Sequence, residues 1–224
     1  MKKLRIGLIH ATINSVRPIL DAFSTIEDDF ELVNFMDEGI IYELNETNTV
    51  TTRMVMRLSE LAGKAVESQV DAIQFTCSTF TPYVPKIAEL VPVPVLSSDI
   101  SMLEKAVELS KNIFVIATVK AAGPTTKKVI QEIALKKGKD VTVQVRIIPQ
   151  AFNALQNGNG KLHDQLIRDA IKENENKGMT VLAQYSMARA VKSDNETFHN
   201  VLTGPQVSAE AIIRLAKRYR GGEF

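Results

Sequence analysis

Cysteine is almost absent: Cys77 is the only one in 224 residues. No intrachain disulfide can form, and the composition fits a reducing compartment, so a cytoplasmic location is expected. Long apolar runs are also missing. No stretch approaches the roughly 18 apolar residues that a membrane span needs, and the opening Met-Lys-Lys-Leu-Arg-Ile-Gly-Leu-Ile-His reads as a first strand, not a signal peptide. Neither sign of charge dominates. With 27 basic and 26 acidic residues the net charge is +1, which leaves no electrostatic footprint for nucleic acid. The three histidines, His10, His163 and His199, lack the spacing of metal ligands. Gly158-Asn159-Gly160 is too short and wrongly placed for a nucleotide-binding loop.

What is present is an alternation of strands and helices. Leu4–Ile9, Glu31–Met36, Ala72–Phe75 and Val91–Leu96 read as strands. The first helix runs from an N-cap at Ser15 through Phe23. A second spans about Thr51 to Gln69, with Met54, Leu58, Leu61 and Ala65 on one apolar face. Others run from about Thr81 towards Leu90 and from Ile100 to Ser110 behind Asp99. The pattern then begins again: strands at Ile113–Ala117, Val141–Ile148, Thr180–Ala183 and Val201–Leu202, helices at Thr125–Lys137, His163–Asn174 and Ser208–Tyr219, and a long linking region at Pro149–Gly160. Alternation of this kind predicts parallel sheets covered by helices on both faces.

The repeat is visible in residues too. Leu8-Ile-His-Ala-Thr12 answers Val115-Ile-Ala-Thr118, and Ile73-Gln-Phe-Thr-Cys-Ser78 answers Val181-Leu-Ala-Gln-Tyr-Ser186. A period near half the chain predicts two similar α/β lobes, residues 1–98 plus 208–224 and residues 99–207. Ligands of such sheets bind beyond the carboxyl ends of the strands. If the lobes face each other, the loops at Thr12–Ser15, Cys77–Thr79, Thr118–Lys120 and Gln184–Ser186 meet in one cleft.

Cys77 ends a strand just before a helix, where unpaired backbone N–H groups and the helix dipole favour an anion. That setting lowers a thiol pKa and supplies thiolate as base or nucleophile, whereas elsewhere a lone cysteine is an ordinary buried small residue. Ser78 and Thr79 follow it, as substrate-binding hydroxyls or as plain helix caps. Lys120 is a cation for a carboxylate or a solvated surface lysine.

Four segments in this order, Phe75-Thr-Cys-Ser-Thr79, Val93-Pro-Val-Leu96, Ile113-Phe-Val-Ile-Ala-Thr118 and Thr180-Val-Leu-Ala-Gln-Tyr-Ser-Met187, resemble the aspartate/glutamate racemase superfamily, which also holds hydantoin racemases, maleate isomerase and arylmalonate decarboxylase. The resemblance implies two pseudo-symmetric lobes, each a four-stranded parallel sheet flanked by helices, with the active site between them. It implies no cofactor, a homodimer, and a small carboxylate or amino acid deprotonated at its α-carbon by a cysteine. On that basis Cys77 is the expected catalytic residue. Asn14, Ser15, Ser78, Thr79, Thr118, Lys120, Gln184 and Ser186 are the expected substrate-binding residues, and His10, at a strand end, is the expected second acid–base group. His163 is expected to mark a loop end, and Asp164 to suit the start of the next helix.

One feature departs from the two-cysteine members. Where they carry a second thiol, this chain has Gln184, or Tyr185 if the alignment slips by one. An amide moves no proton at neutral pH, and a phenol near 10 is a poor match. The expected activity is a cofactor-independent isomerase. The alternatives are a single-cysteine decarboxylase of the same superfamily and a non-catalytic protein that binds a small acid.

Overall fold

The computed structural model describes residues 3–192 and 198–222. Met1 and Lys2, which open the expected N-terminal lobe, and Glu223 and Phe224, which close it, lie outside the described residues. The chain divides into two compact units, Met1–Ser98 with Pro205–Phe224, and Asp99–Gly204.

The N-terminal unit carries strands β1 (Leu4–His10), β2 (Phe30–Met36), β3 (Ala72–Phe75) and β4 (Val95–Leu96) in the order β2-β1-β3-β4, every pairing parallel. β1 and β3 are the central pair and are apolar and buried almost throughout, as strands covered on both faces must be. The covering helices are α1 (Val16–Phe23), α2 (Gly39–Thr47), α3 (Thr52–Glu67) and the short α4 (Val84–Ala88). On α3, Met54, Leu58, Ala62 and Ala65 form the buried stripe, and Thr51 caps it by accepting from the Met54 N–H at 3.3 Å.

The Asp99–Gly204 unit repeats the plan. Helix α5 (Ile100–Leu109) leads into β5 (Asn112–Ala117), α6 (Ala122–Lys136), β6 (Thr142–Ile147), α7 (Pro149–Gln156), α8 (Gly160–Lys172), β7 (Met179–Leu182) and β8 (Val201–Thr203). Its strand order, β6-β5-β7-β8, is again fully parallel. The core gathers Ile116, Leu182 and Met187 against Ile167 and Ile171 of α8. The last helix, α9 (Gly204–Arg220), returns the chain to the first unit. There Lys217 pairs with Asp28, Arg220 with Asp71, and the Tyr219 hydroxyl donates to the Pro92 carbonyl at 2.8 Å.

Several expected boundaries are corrected. Residues 149–156 of the supposed linking region are helix α7, begun by Pro149, whose fixed φ and missing N–H suit a first helical position. Gly39–Thr47 is an unexpected helix with Ile40, Ile41 and Leu44 buried. The fourth strand shrinks to Val95–Leu96, because Pro92 and Pro94 have no N–H for a ladder. A 3₁₀ turn over Ser78–Tyr83, not an α-helix, follows Cys77. The terminal helix begins at Gly204, four residues ahead of Ser208.

Gly178, just before β7, sits at φ +154°, and a Cβ there would lie 2.3 Å from the Asn112 carbonyl oxygen. Gly178→Ala is therefore expected to cost about 2 kcal/mol or more. Gly158→Ala, at φ +76° with open space around it, should cost about 1 kcal/mol, the left-handed penalty alone. Urea unfolding midpoints compare them, and equal losses would show that the Asn112 contact carries no constraint.

Candidate active site

In both sheets the polar residues gather where parallel strands end. β3 stops at Phe75, and Thr76 continues its ladder by donating its backbone N–H to the Ile9 carbonyl at 3.0 Å. Cys77 follows in extended conformation (φ −122°, ψ 114°) as the residue that opens the 3₁₀ turn. It is half-buried, while Ser78 and Thr79 behind it are buried. The Ser78 hydroxyl has no hydrogen-bond partner among the described residues. The same holds for the Asn14 amide nitrogen, in the loop after β1. Buried donors left without a partner are costly, about 1–3 kcal/mol each, and an ordered water or a ligand completes them.

Beside this edge lies a polar cluster, buried except at Asn34. His10 ends β1 fully buried. Its Nε2 is 2.9 Å from Asn34 Oδ1 on β2, and its Nδ1 is 2.9 Å from Thr76 Oγ1 and 3.2 Å from Ser15 Oγ. Ser15 Oγ is 2.8 Å from Thr76 Oγ1 and donates towards the Thr12 carbonyl at 2.9 Å. Burial lowers the His10 pKa, and the Asn34 contact opposes the shift only in part, so the ring is neutral near pH 7. The carboxamide oxygen of Asn34 calls for a hydrogen on Nε2, which leaves Nδ1 as an acceptor for the Thr76 hydroxyl. Ser15 was expected to cap α1. Its hydroxyl makes no cap bond and serves this cluster instead.

In the Asp99–Gly204 unit, β7 stops at Leu182, and Gln184 opens a 3₁₀ turn over Tyr185–Val191. Gln184 thus stands second after its strand, as Cys77 does after β3, with similar backbone angles (φ −121°, ψ 146°). Gln184, not Tyr185, is the counterpart of Cys77. Its Oε1 accepts from the Thr118 N–H at 2.7 Å and the Thr118 hydroxyl at 3.2 Å, and its Nε2 is buried without a partner among the described residues. Thr118 and Ser186 are buried, and Lys120 is exposed in the turn before α6.

A 14–212 segment of the chain matches the profile of the family described as Asp/Glu/Hydantoin racemase. The chain belongs to that family. Racemases are isomerases, which makes the chain an enzyme of the isomerase class. Solved structures carry the same fold at low identity. The Picrophilus torridus aspartate racemase matches with TM-score 0.72 at 17% identity, covering 97% of this chain and 98% of that one. A Francisella tularensis glutamate racemase bound to D-glutamate gives 0.72 at 12%, covering 98% and 83%. The Klebsiella pneumoniae allantoin racemase gives 0.69 at 15%, covering 96% and 88%. No curated protein sequence matches the chain. Among the described residues no cluster of three or more His, Cys, Asp or Glu side chains suits a metal ion, and no helix is long and apolar enough to cross a membrane.

His163 does not mark a loop end. It is fully buried inside α8, with Nδ1 2.8 Å from Asp164 Oδ1, and Asp164 also takes the Arg189 guanidinium at 2.8 Å. Burial lowers the His163 pKa against the pull of Asp164. His199 is exposed. Sequence reasoning singled out neither Thr76 nor Asn34. The signals were a hydroxyl on the rung before Cys77 and an amide in the otherwise apolar run Leu32-Val33-Asn34-Phe35.

Both His10 and His163 have folded values below the ordinary 6.5. Below about pH 6.5 the unfolded chain therefore binds more protons than the folded one, and stability falls as pH falls. The Tm is expected to drop between pH 7.5 and 5.5, and to drop less in His10→Gln or His163→Gln, whatever their starting values. A drop of unchanged size in both variants would place the acid sensitivity elsewhere.

Proposed function

We propose that the chain is a cofactor-independent isomerase that works at the α-carbon of a small carboxylate or amino acid, with the Cys77 thiolate as its base. The observation that carries this reading is half-buried Cys77 just past the end of a central strand, followed by Ser78, whose buried hydroxyl has no partner among the described residues, nor has the buried amide nitrogen of Asn14 in the loop that Ser15 joins to Thr76. A carboxylate supplies the acceptors those donors lack. When the α-proton leaves, charge builds on the carboxylate oxygens as an enediolate, and donors already aimed there are worth about 3 kcal/mol each in the transition state. The backbone N–H groups that follow Cys77, with Thr79, add to the same cradle. Ser15 holds the loop that carries Asn14. Thr118, Lys120, Gln184 and Ser186 are the proposed ligand-facing residues of the second unit. The D-glutamate held by the Francisella tularensis glutamate racemase is a ligand of this chemical type.

A single thiol also supports a second reading, a decarboxylase in which Cys77 protonates the enediolate left by loss of carbon dioxide. Gln184 favours keeping it in view, because a carboxamide neither gives nor takes a proton at neutral pH.

With one thiol, the proton that Cys77 removes is returned mostly by Cys77. Candidate amino acids incubated in D₂O are therefore expected to exchange the α-proton, followed by NMR, faster than they lose optical activity, while malonate-type diacids, achiral at that carbon, are followed for exchange and for release of carbon dioxide. Cys77→Ser, a small change in volume, should keep the fold and lower exchange at least about a hundredfold, the scale of a lost general base. Undiminished turnover in Cys77→Ser would overturn the reading. Release of carbon dioxide in place of exchange would select the decarboxylase.

A further inference from the structure

We propose that His10 is the positioning residue for Cys77, acting through the Thr76 hydroxyl and never touching substrate itself. The inference rests on the reading of Cys77 as the working thiol and adds to it what holds that thiol in place. The expectation of a second acid–base group at His10 does not suit its surroundings. The ring is fully buried, and both nitrogens are taken by side chains of its own unit.

The ring instead spans three neighbouring strands. β1 lies between β2 and β3. From the end of β1, His10 reaches Asn34 on β2 with one nitrogen and Thr76, on the rung after β3, with the other. Thr76 precedes Cys77 by one peptide bond, and Ser15 shares the same hydroxyl contact at 2.8 Å. One imidazole thus ties together the Asn14–Ser15 loop and the Thr76–Thr79 edge, whose Ser15 and Thr76 lie 61 residues apart in sequence. These loops carry Asn14 Nδ2 and Ser78 Oγ, buried donors without partners among the described residues.

The hydrogen-bond sense follows from the Asn34 contact. With the hydrogen on Nε2, Nδ1 needs a donor, and the Thr76 hydroxyl at 2.9 Å is nearer than that of Ser15 at 3.2 Å. The Thr76 hydroxyl can also donate to the Ile9 carbonyl at 3.1 Å, an oxygen that accepts the Thr76 backbone N–H as well. Nδ1 is the nearer of the two acceptors, and whichever takes the one hydrogen, the Thr76 hydroxyl is held between the ring and β1, so the backbone that leads into Cys77 is pinned from its side-chain side. A site holds its reacting groups only as well as the residues behind them are locked.

The test reads Cys77 with no substrate present, by its rate of alkylation with iodoacetamide between pH 6 and 9. Thr76→Val removes the hydroxyl at nearly constant shape, Thr76→Ser keeps it, and His10→Gln removes the ring. Thr76→Val and His10→Gln are expected to change the rate at pH 7 by about threefold or more and to move the pH midpoint, while Thr76→Ser stays within about threefold of the parent. A smaller change in Thr76→Val, or a Thr76→Ser as altered as Thr76→Val, overturns the proposal. So does a folded His10→Gln with parental thiol kinetics, even if its Tm has fallen, since that marks a purely structural role. If His10→Gln does not fold, the pair Thr76→Val and Thr76→Ser decides alone. Failure of the isomerase reading shows as turnover in Cys77→Ser, a separate result from any of these.

Discussion

Three buried side chains at and just past the ends of two central strands, His10, Thr76 and Ser15, meet one another and the exposed Asn34 of the edge strand β2, and the N-terminal unit is arranged around these contacts. His10, Thr76 and Ser15 bring polar atoms into a buried stretch of chain whose sequence neighbours Ile9, Phe75 and Ala11 are buried too. Any one of them replaced by an apolar group would strand its partners at about 1–3 kcal/mol per unsatisfied atom. Other features follow. Ser15 leaves α1 without a side-chain cap, because its hydroxyl serves the cluster. The 3₁₀ turn before α1 then takes its cap from Thr12, which accepts the Asn14 N–H at 3.3 Å. The first turn after β2 is held to the same loop, since Glu38 accepts the Ile13 N–H and the Asp37 N–H donates to the His10 carbonyl.

The second unit meets the same constraint with different residues. There the closing contact is one rung further along, where Gln184 takes both Thr118 donors through one oxygen. If the β1–β3 register is continued past Ile9 and Phe75, the residue across from Cys77 is Ala11, whose methyl offers no polar atom. Gln184 is engaged by the strand beside it, whereas the corresponding neighbour of Cys77 leaves the sulfur to other surroundings. Two units of one plan thus differ at the position where the chemistry is expected, and the clamp in the first unit has moved back to His10 and Thr76.

Much of the fold was legible because strands buried on both faces are short apolar runs and their covering helices carry a 3.6-residue stripe. What was lost is equally physical. Gly39 reads as a break, yet it is the first residue of α2, and a Cβ there would stand 2.7 Å from Arg57 Nη2. The glycine leaves room for Arg57 to reach Asp37 and Glu43. Pro149 reads as a linker and instead begins a helix. At the candidate site, Cys77, Ser78, Thr118 and Gln184 were visible as polar residues closing apolar runs. The His10 cluster was not, because its contacts join positions 24 and 66 residues apart. No local pattern announces that a strand-end histidine faces inward.

The exchange of thiol for carboxamide between the two units narrows the chemistry further than family membership does. Isomerases and decarboxylases that pass through an enediolate need the same donors on the carboxylate, and buried donors of that kind serve either reaction. They part at the proton. Inversion requires a group on each side of the carbon that can change its protonation state, while protonation of a carbanion after loss of carbon dioxide requires one. Gln184 can orient a ligand through its buried amide nitrogen, but it stays neutral across the working pH range and passes no proton on. His10 is neutral, enclosed and committed to Thr76 and Asn34. On the proposed reading, proton transfer converges on Cys77, and the polar groups of its unit are better suited to fixing its position and the ligand's than to sharing its task.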